Sequence, residues 1–294
     1  MESSVVEAGH RYLAEKKKQI DDLLDQYLPS EKNYPYVLHQ AIRYSVLAGG
    51  KRIRPILALT TYEAFGGKDK DIINPAACSL ELVHTYSLIH DDLPCMDDDD
   101  LRRGIPTLHK KYNEAVAVLA GDALHDLAFE LIAKSGSAEV VSELAKAIGT
   151  NGMLGGQMAD VEAEGKDNSI EQIEFIHKHK TGALIRASIR IGAMLAGVDK
   201  TSLDNISIYG EKIGLAFQII DDILDIEGDE EKLGKIVGSD CKNDKATYPG
   251  TIGLEQSRQI SDRLIDEAIE IAEQLEIEKN YFVDIARFIG QRDN

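Results

Sequence analysis

Two runs of carboxylates carry the chemistry that this sequence advertises: Asp91-Asp92-Leu-Pro-Cys-Met-Asp97-Asp98-Asp99-Asp100 and Asp221-Asp222-Ile-Leu-Asp225. Residues four apart share a helix face, so Asp221 and Asp225 can aim their oxygens at one point. Asp91 and Asp97 stand ~120° off a common face in an ideal helix. Pro94 lies between them, removes an amide donor and disfavours helical backbone at Leu93. The helix should therefore end or bulge there, letting Asp97 swing back toward Asp91. Carboxylates gathered this closely repel, and one takes up a proton unless a cation intervenes. Ligation by oxygen alone, without Cys or His, selects a hard ion, and Mg²⁺ usually keeps one or two carboxylates plus substrate phosphates. An EF-hand loop begun at Asp221 fails, because Ile223 and Ile226 stand where Asp and Gly are required. A nucleotide P-loop ending at Lys51 fails too, because Ser45 stands where Gly is required. A solvated acidic turn would account for either run alone, but poorly for both, each after an apolar helix.

Cations lie beside these carboxylates. Gly49-Gly50-Lys51-Arg52-Ile-Arg54-Pro55 places three in a Gly-led turn just before a helix. Glycines let backbone amides approach an anion, and a helix start favours negative charge. Arginine adds bidentate geometry toward phosphate. Arg102-Arg103 follows the first acidic run directly, Lys180 sits in His177-Lys-His179-Lys180-Thr181, and Lys235 follows the second run. The pattern implies a bound diphosphate, held partly through metal and partly directly. Intramolecular salt bridging is the blander reading, and it is an even match for Arg102 and Arg103 alone.

The elements that must position these groups read as helices nearly throughout. Leu13, Ile20, Leu23, Leu24 and Tyr27 recur at helical steps before Pro29. Tyr36 to Ala48 predicts a second helix, stopped by Gly49-Gly50. Pro55 opens a third, closed by Gly66-Gly67. Asn74-Pro75 opens a fourth that runs to about Asp92. Further helices are predicted near 112–134, 138–153, 170–196, 202–227, 256–275 and 279–291, and no strand-length alternation is seen. Residues 228–249 read as a long functional or mobile loop. We expect one all-α domain spanning 1–294.

The balance of 33 Lys+Arg against 51 Asp+Glu gives a formal charge of −18, which argues against a nucleic-acid partner. With 43% hydrophobic residues, the chain can bury a core and is not disordered. The start shows no signal-peptide pattern, and no stretch approaches a membrane span. Cys78, Cys95 and Cys241 lack C-x-x-C spacing, so a reducing cytoplasm with three ordinary thiols is expected. The sequence assigns no role to Cys95.

Three segments together resemble the trans-isoprenyl diphosphate synthases, and among them bacterial farnesyl diphosphate synthases most. They are Gly-Gly-Lys-Arg-x-Arg-Pro, the stretch from Tyr86 to Gly104, and Phe217-Gln-Ile-Ile-Asp-Asp-Ile-Leu-Asp225. The resemblance implies a helical bundle around a central cavity, with the Asp motifs on facing helices, and a homodimer. It implies Mg²⁺-assisted ionisation of an allylic diphosphate (dimethylallyl or geranyl) and attack by isopentenyl diphosphate. By resemblance, Asp91, Asp92 and Asp97 hold two ions and Asp221 a third, with Asp222 and Asp225 acting through water. Arg102, Lys180 and Lys235 would bind the allylic diphosphate. Lys51, Arg54, His84 and Arg103 would bind isopentenyl diphosphate without metal. Gln218 and Thr181 would steady the cation, and the released diphosphate would take the proton.

Tyr86 lies ~7.5 Å along the helix from Asp91 at 1.5 Å per residue. The family places chain-length control there, and Tyr86 with Ser87 matches the farnesyl pattern. Tyr86 is also compatible with an ordinary core role. A geranylgeranyl diphosphate synthase is the alternative product reading. A terpene cyclase has no need of the Lys51/Arg54 island, and a catalytically dead partner subunit should have lost an Asp motif. His177 and His179 are read as surface or packing residues, since no third ligand completes a metal set.

Overall fold

The computed structural model describes residues 2–227, 245–277 and 280–292, with side chains from Arg11 onward. The helices run α1 Glu2–Tyr27, α2 Tyr36–Val46, α3 Ile53–Ala64, α4 Lys70–Asp91, α5 Leu108–Lys111, α6 Glu114–Ala133, α7 Ala138–Ile148 and α8 Met153–Ala163. After these come α9 Ile170–Ile176, a π-helical turn His177–Gly182, α10 Ala183–Ala196, α11 Lys200–Glu227, α12 Tyr248–Ile252, α13 Leu254–Glu273 and α14 Phe282–Gly290. The fold is all-α, as the periodicity predicts.

Helix α4 is the central post. Its Ala76, Ala77, Leu80, Leu82 and Val83 are wholly buried. It packs on α6, α3 and α2 within one apolar cluster. A second cluster surrounds α11, whose Ile206, Ile213, Ala216 and Ile219 bury against α10, α13 and α14. Each fully buried Leu or Ile contributes about 1.5–3 kcal/mol, so both posts are anchored along their length. Among the described residues no helix is long and apolar enough to cross a membrane.

Three departures from the sequence reading bear on the site. Helix α4 begins before Asn74-Pro75, because Asp69 caps it by accepting from the Asp71 amide at 2.9 Å. Pro75 sits inside the first turns, where its missing N–H forfeits only one ladder bond. Second, a two-stranded hairpin pairs β1 Leu101–Arg102 with β2 Ile105–Pro106. Its two-residue turn, Arg103-Gly104, has φ values of +56° and +76°, the left-handed pair that tight hairpins favour. Third, the helix predicted over 138–153 stops at Ile148, and α8 follows separately. Gly156 lets α8 lie against the π-helical turn: an added Cβ would stand 2.1 Å from the Lys180 amide nitrogen.

Candidate active site

Helix α4 ends as Pro94 dictates. The chain doubles back, and the Asp97 amide donates to the Asp91 carbonyl at 2.9 Å. This brings Asp91 and Asp97 to one cavity of about 260 Å³. Helix α4 contributes His84, Leu88 and Asp91, the loop after it Asp97 and Asp99, and β1 Arg102. Asp160 comes from α8, while His177, Lys180 and Thr181 come from the π-helical turn. Phe217, Gln218, Asp221 and Asp222 project from α11, Arg54 from α3, and Lys245 from the segment leading to α12. The two acidic runs therefore do face one space.

Lysines neutralise the first run. Lys180 Nζ lies 2.7 Å from Asp160 Oδ2 and 3.5 Å from Asp91 Oδ2. Lys245 Nζ donates to Asp97 Oδ2 at 3.0 Å, and Gln157 Nε2 donates to Asp91 Oδ1 at 2.6 Å. Burial raises the Asp91 pKa, and the Asp97 charge adds to that. Burial works on Asp97 too, but Lys245 and Lys180 prevail and hold it below the usual range. Burial disfavours the Lys180 ammonium, yet Asp91, Asp160 and Asp97 outweigh it and keep the group charged. Asp92 points away from the cavity into a pairing with Arg102, whose Nε donates at 2.8 Å and whose Nη2 also reaches Asp99 at 2.9 Å. Burial still pushes Asp92 up to about 6.

The second run divides by role. Asp222 is saturated by protein donors: His177 Nε2 lies at 2.8 Å, and the Tyr248 amide at 3.0 Å. Gln218 Nε2 reaches its other oxygen at 3.3 Å, while Thr181 Oγ1 donates to Gln218 Oε1 at 2.8 Å. Asp221 keeps 40% of its side chain exposed, with Arg292 3.4 Å away. Asp225 is buried behind the cavity rather than lining it.

Also lining the cavity, Arg54 has its Nε buried without a hydrogen-bond partner among the described residues. Burial pushes its guanidinium down to about 10. His84 is held well below its usual pKa by burial, then by Arg54 and Arg103, and is therefore neutral near pH 7. Arg103 donates to the Gly49 carbonyl. Its guanidinium would stand 2.9 Å from a Cβ at residue 50, where φ is +128°, so this approach requires Gly50. Lys51 is half-buried on the same segment. Lys235 and Cys241 lie outside the described residues. Tyr86 is buried in the core, edge-on to the His125 ring at 5.3 Å, and Ser87 Oγ donates to the His84 carbonyl at 2.9 Å; neither lines the cavity. Cys95 is a free, exposed thiol.

Reasoning from sequence missed Gln157, Asp160, Lys245 and Arg292. It read His177 as surface or packing: the ring is buried and packs on Tyr248 at 5.3 Å, and it also bonds a cavity carboxylate, which the sequence did not show. His179, stacked on Phe175 at 3.9 Å, does pack near the surface.

Residues 35–285 match the family model described as polyprenyl synthetase. The chain belongs to the polyprenyl synthetase family. It is 46% identical over 292 residues to farnesyl diphosphate synthase of Bacillus subtilis, covering 96% of this chain and 98% of that protein. It is equally 46% identical to geranylgeranyl diphosphate synthase of Cyanophora paradoxa, covering 96% of each. A crystal structure of an FPP/GFPP synthase from Zymomonas mobilis superimposes with a TM-score of 0.85 at 35% identity, over 97% of this chain and 99% of that one. A geranyltransferase from Helicobacter pylori, complexed with magnesium and isoprenyl diphosphate, gives 0.82 at 34%, covering 96% of both. This polyprenyl synthetase is thus a prenyltransferase, of a Mg²⁺-dependent family. Among the described residues no three ligating side chains converge into a ready ion cage. The donor set fits Mg²⁺: Asp91, Asp97 and Asp221 line the cavity as carboxylates, and ammonium groups already occupy the first two.

Proposed function

We propose that this prenyltransferase condenses isopentenyl diphosphate head-to-tail with dimethylallyl and then geranyl diphosphate, and stops at (2E,6E)-farnesyl diphosphate. One observation carries the product length. Tyr86 lies on the same helix as Asp91, ~7.5 Å along it, and is 5% exposed with the His125 ring edge-on to it. A tail growing away from the carboxylates meets an aromatic floor there. The second reading, a geranylgeranyl diphosphate synthase, is favoured by the identity to the Cyanophora enzyme.

The division of charge supports two diphosphate subsites. On the carboxylate side, Asp91, Asp97 and Asp221 would hold Mg²⁺, with Asp92, Asp222 and Asp225 behind them. Three bound Mg²⁺ ions would supply Lewis-acid stabilisation of the leaving diphosphate. Lys180, Lys245 and Arg102 border that space and would donate directly to its oxygens. Lys51, Arg54, Arg103 and neutral His84 would receive isopentenyl diphosphate without metal. The Gln218 amide is oriented by Asp222, so its oxygen and the Thr181 hydroxyl oxygen present partial negative charge to an allylic cation. No side-chain base is required, since the departing diphosphate can take the proton. We further read the chain as a cytoplasmic homodimer, and exposed Val118 and Leu119 on α6 support a partner there.

Incubation with Mg²⁺, radiolabelled isopentenyl diphosphate and geranyl diphosphate, followed by dephosphorylation and chromatography, tests the reading. Farnesol as the dominant product under excess isopentenyl diphosphate is expected. Geranylgeraniol as the main product would overturn the assigned length.

A further inference from the structure

Glu81 lies one turn before His84 on α4 and is 1% exposed. A carboxylate so buried is tolerated only when paired. Its Oε1 accepts from Arg52 Nη1 at 2.6 Å and lies 3.9 Å from Arg103 Nη2. Arg52 in turn donates to Asp21 at 2.8 Å and to the Val46 carbonyl at 2.7 Å. Arg52 holds a left-handed backbone at φ +54°, a conformation uncommon for residues other than glycine. The buried bonds of its side chain fix that conformation. They turn Arg52 inward while Arg54, two residues on, reaches the cavity.

One carboxylate thus ties together α4, the segment before α3 and the hairpin turn. The guanidiniums of Arg52, Arg54 and Arg103 repel one another, and Glu81 opposes that repulsion at each. Glu81 and Asp21, the latter shared with Lys17 at 2.7 Å, do not balance the three guanidiniums. Arg54 Nε is a buried donor without a partner among the described residues. The cluster is therefore built to receive an anion while its cations stay in place without one.

We propose that Glu81 is a positioning residue for the metal-free diphosphate subsite: by holding Arg52 and Arg103, it presents Arg54 and Arg103 to isopentenyl diphosphate. The proposal rests on the reading of that subsite given above. Glu81 itself touches no substrate.

The test is Glu81→Gln, which keeps the shape and removes the charge. It is read by steady-state kinetics for each substrate, with the other saturating, and by thermal melting. Binding of inorganic diphosphate in the presence of a chelator, followed by calorimetry, gives a readout independent of turnover. We expect a roughly tenfold rise in the KM for isopentenyl diphosphate and a similar loss of diphosphate affinity. The KM for geranyl diphosphate and kcat should stay within about twofold. Glu81→Asp, which keeps the charge on a shorter arm, should show the same selective rise to a smaller extent. It serves as the test if Glu81→Gln does not fold. An unchanged KM for isopentenyl diphosphate, or an equal rise for both substrates, overturns the proposal. Arg54→Gln separates the two layers. If it raises that KM while Glu81→Gln does not, the subsite stands and the role of Glu81 falls. If neither raises it, the subsite reading itself falls.

Discussion

The Lys180 ammonium lies 2.7 Å from Asp160, and the two helical segments that carry these residues approach closely only because residue 156 is glycine. Asp160 is buried and fixes the direction of a cation that also faces Asp91. Asp160→Asn should leave Lys180 unanchored. A reacting group misplaced by about 1 Å can cost a hundredfold, so we expect kcat to fall on the order of ten- to a hundredfold. The KM for the allylic substrate should rise, and that for isopentenyl diphosphate should hold. Steady-state kinetics with both substrates checks this; kinetics like those of the parent would show that Lys180 needs no such anchor.

Among the described residues, Asp221 is the cavity carboxylate with the fewest protein donors, Arg292 at 3.4 Å being its neighbour. Asp221→Asn should cut turnover by about a thousandfold or more, since several kcal/mol of charge stabilisation are lost. Its side chain is 40% exposed, so the melting temperature should move little. Activity assays paired with circular dichroism separate the two effects. Turnover near that of the parent would remove Asp221 from the set of ligands.

Asp92 gives a pH prediction whose sign is opposite to that of most acids. Its carboxyl is pushed up to about 6 by burial, against about 3.9 in an unfolded chain. The folded protein binds this proton more tightly, so stability is greatest below about pH 4 and is lost as pH rises toward 6. At pH 7.5 the charged group costs about 2–3 kcal/mol. Asp92→Asn should therefore be more stable than the parent by about 1–3 kcal/mol at pH 7.5 in chelator, with the difference vanishing near pH 4. Urea titrations at both pH values decide it. A variant less stable at pH 7.5 would mean that Arg102 more than repays the burial.

Tyr86→Ala should open the floor of the cavity. Removing a buried aromatic costs about 3–5 kcal/mol, so a lower melting temperature is expected together with products longer than fifteen carbons. Product chromatography under excess isopentenyl diphosphate reads it directly. Termination still at fifteen carbons would shift length control to other residues.

What the sequence disclosed follows from what kinds of interaction leave a periodic trace. Helices α4 and α11 were legible because long apolar stripes recur at helical steps, and their carboxylates are contiguous in the chain. Helix α8 was not: Gly155 and Gly156 interrupt its pattern, although Gly156 is there to let backbones touch. The hairpin was not, because strands of two residues show no alternation. Lys245 and His177 came into the site through tertiary contacts alone. The bend after Asp91 could be foreseen, since proline's missing donor acts locally.

The two lysines paired with the first acidic run have a further consequence. Because Lys180 and Lys245 already compensate Asp91 and Asp97, loading the cavity with a divalent ion is an exchange rather than an addition. A ligand that took over the carboxylates would free the Lys245 ammonium to meet phosphate oxygens and would leave Lys180 held by Asp160 alone. Whatever engages those ammonium groups bares the carboxylates in return. The two ligands are thus thermodynamically linked, and by reciprocity each must tighten the other by the same factor.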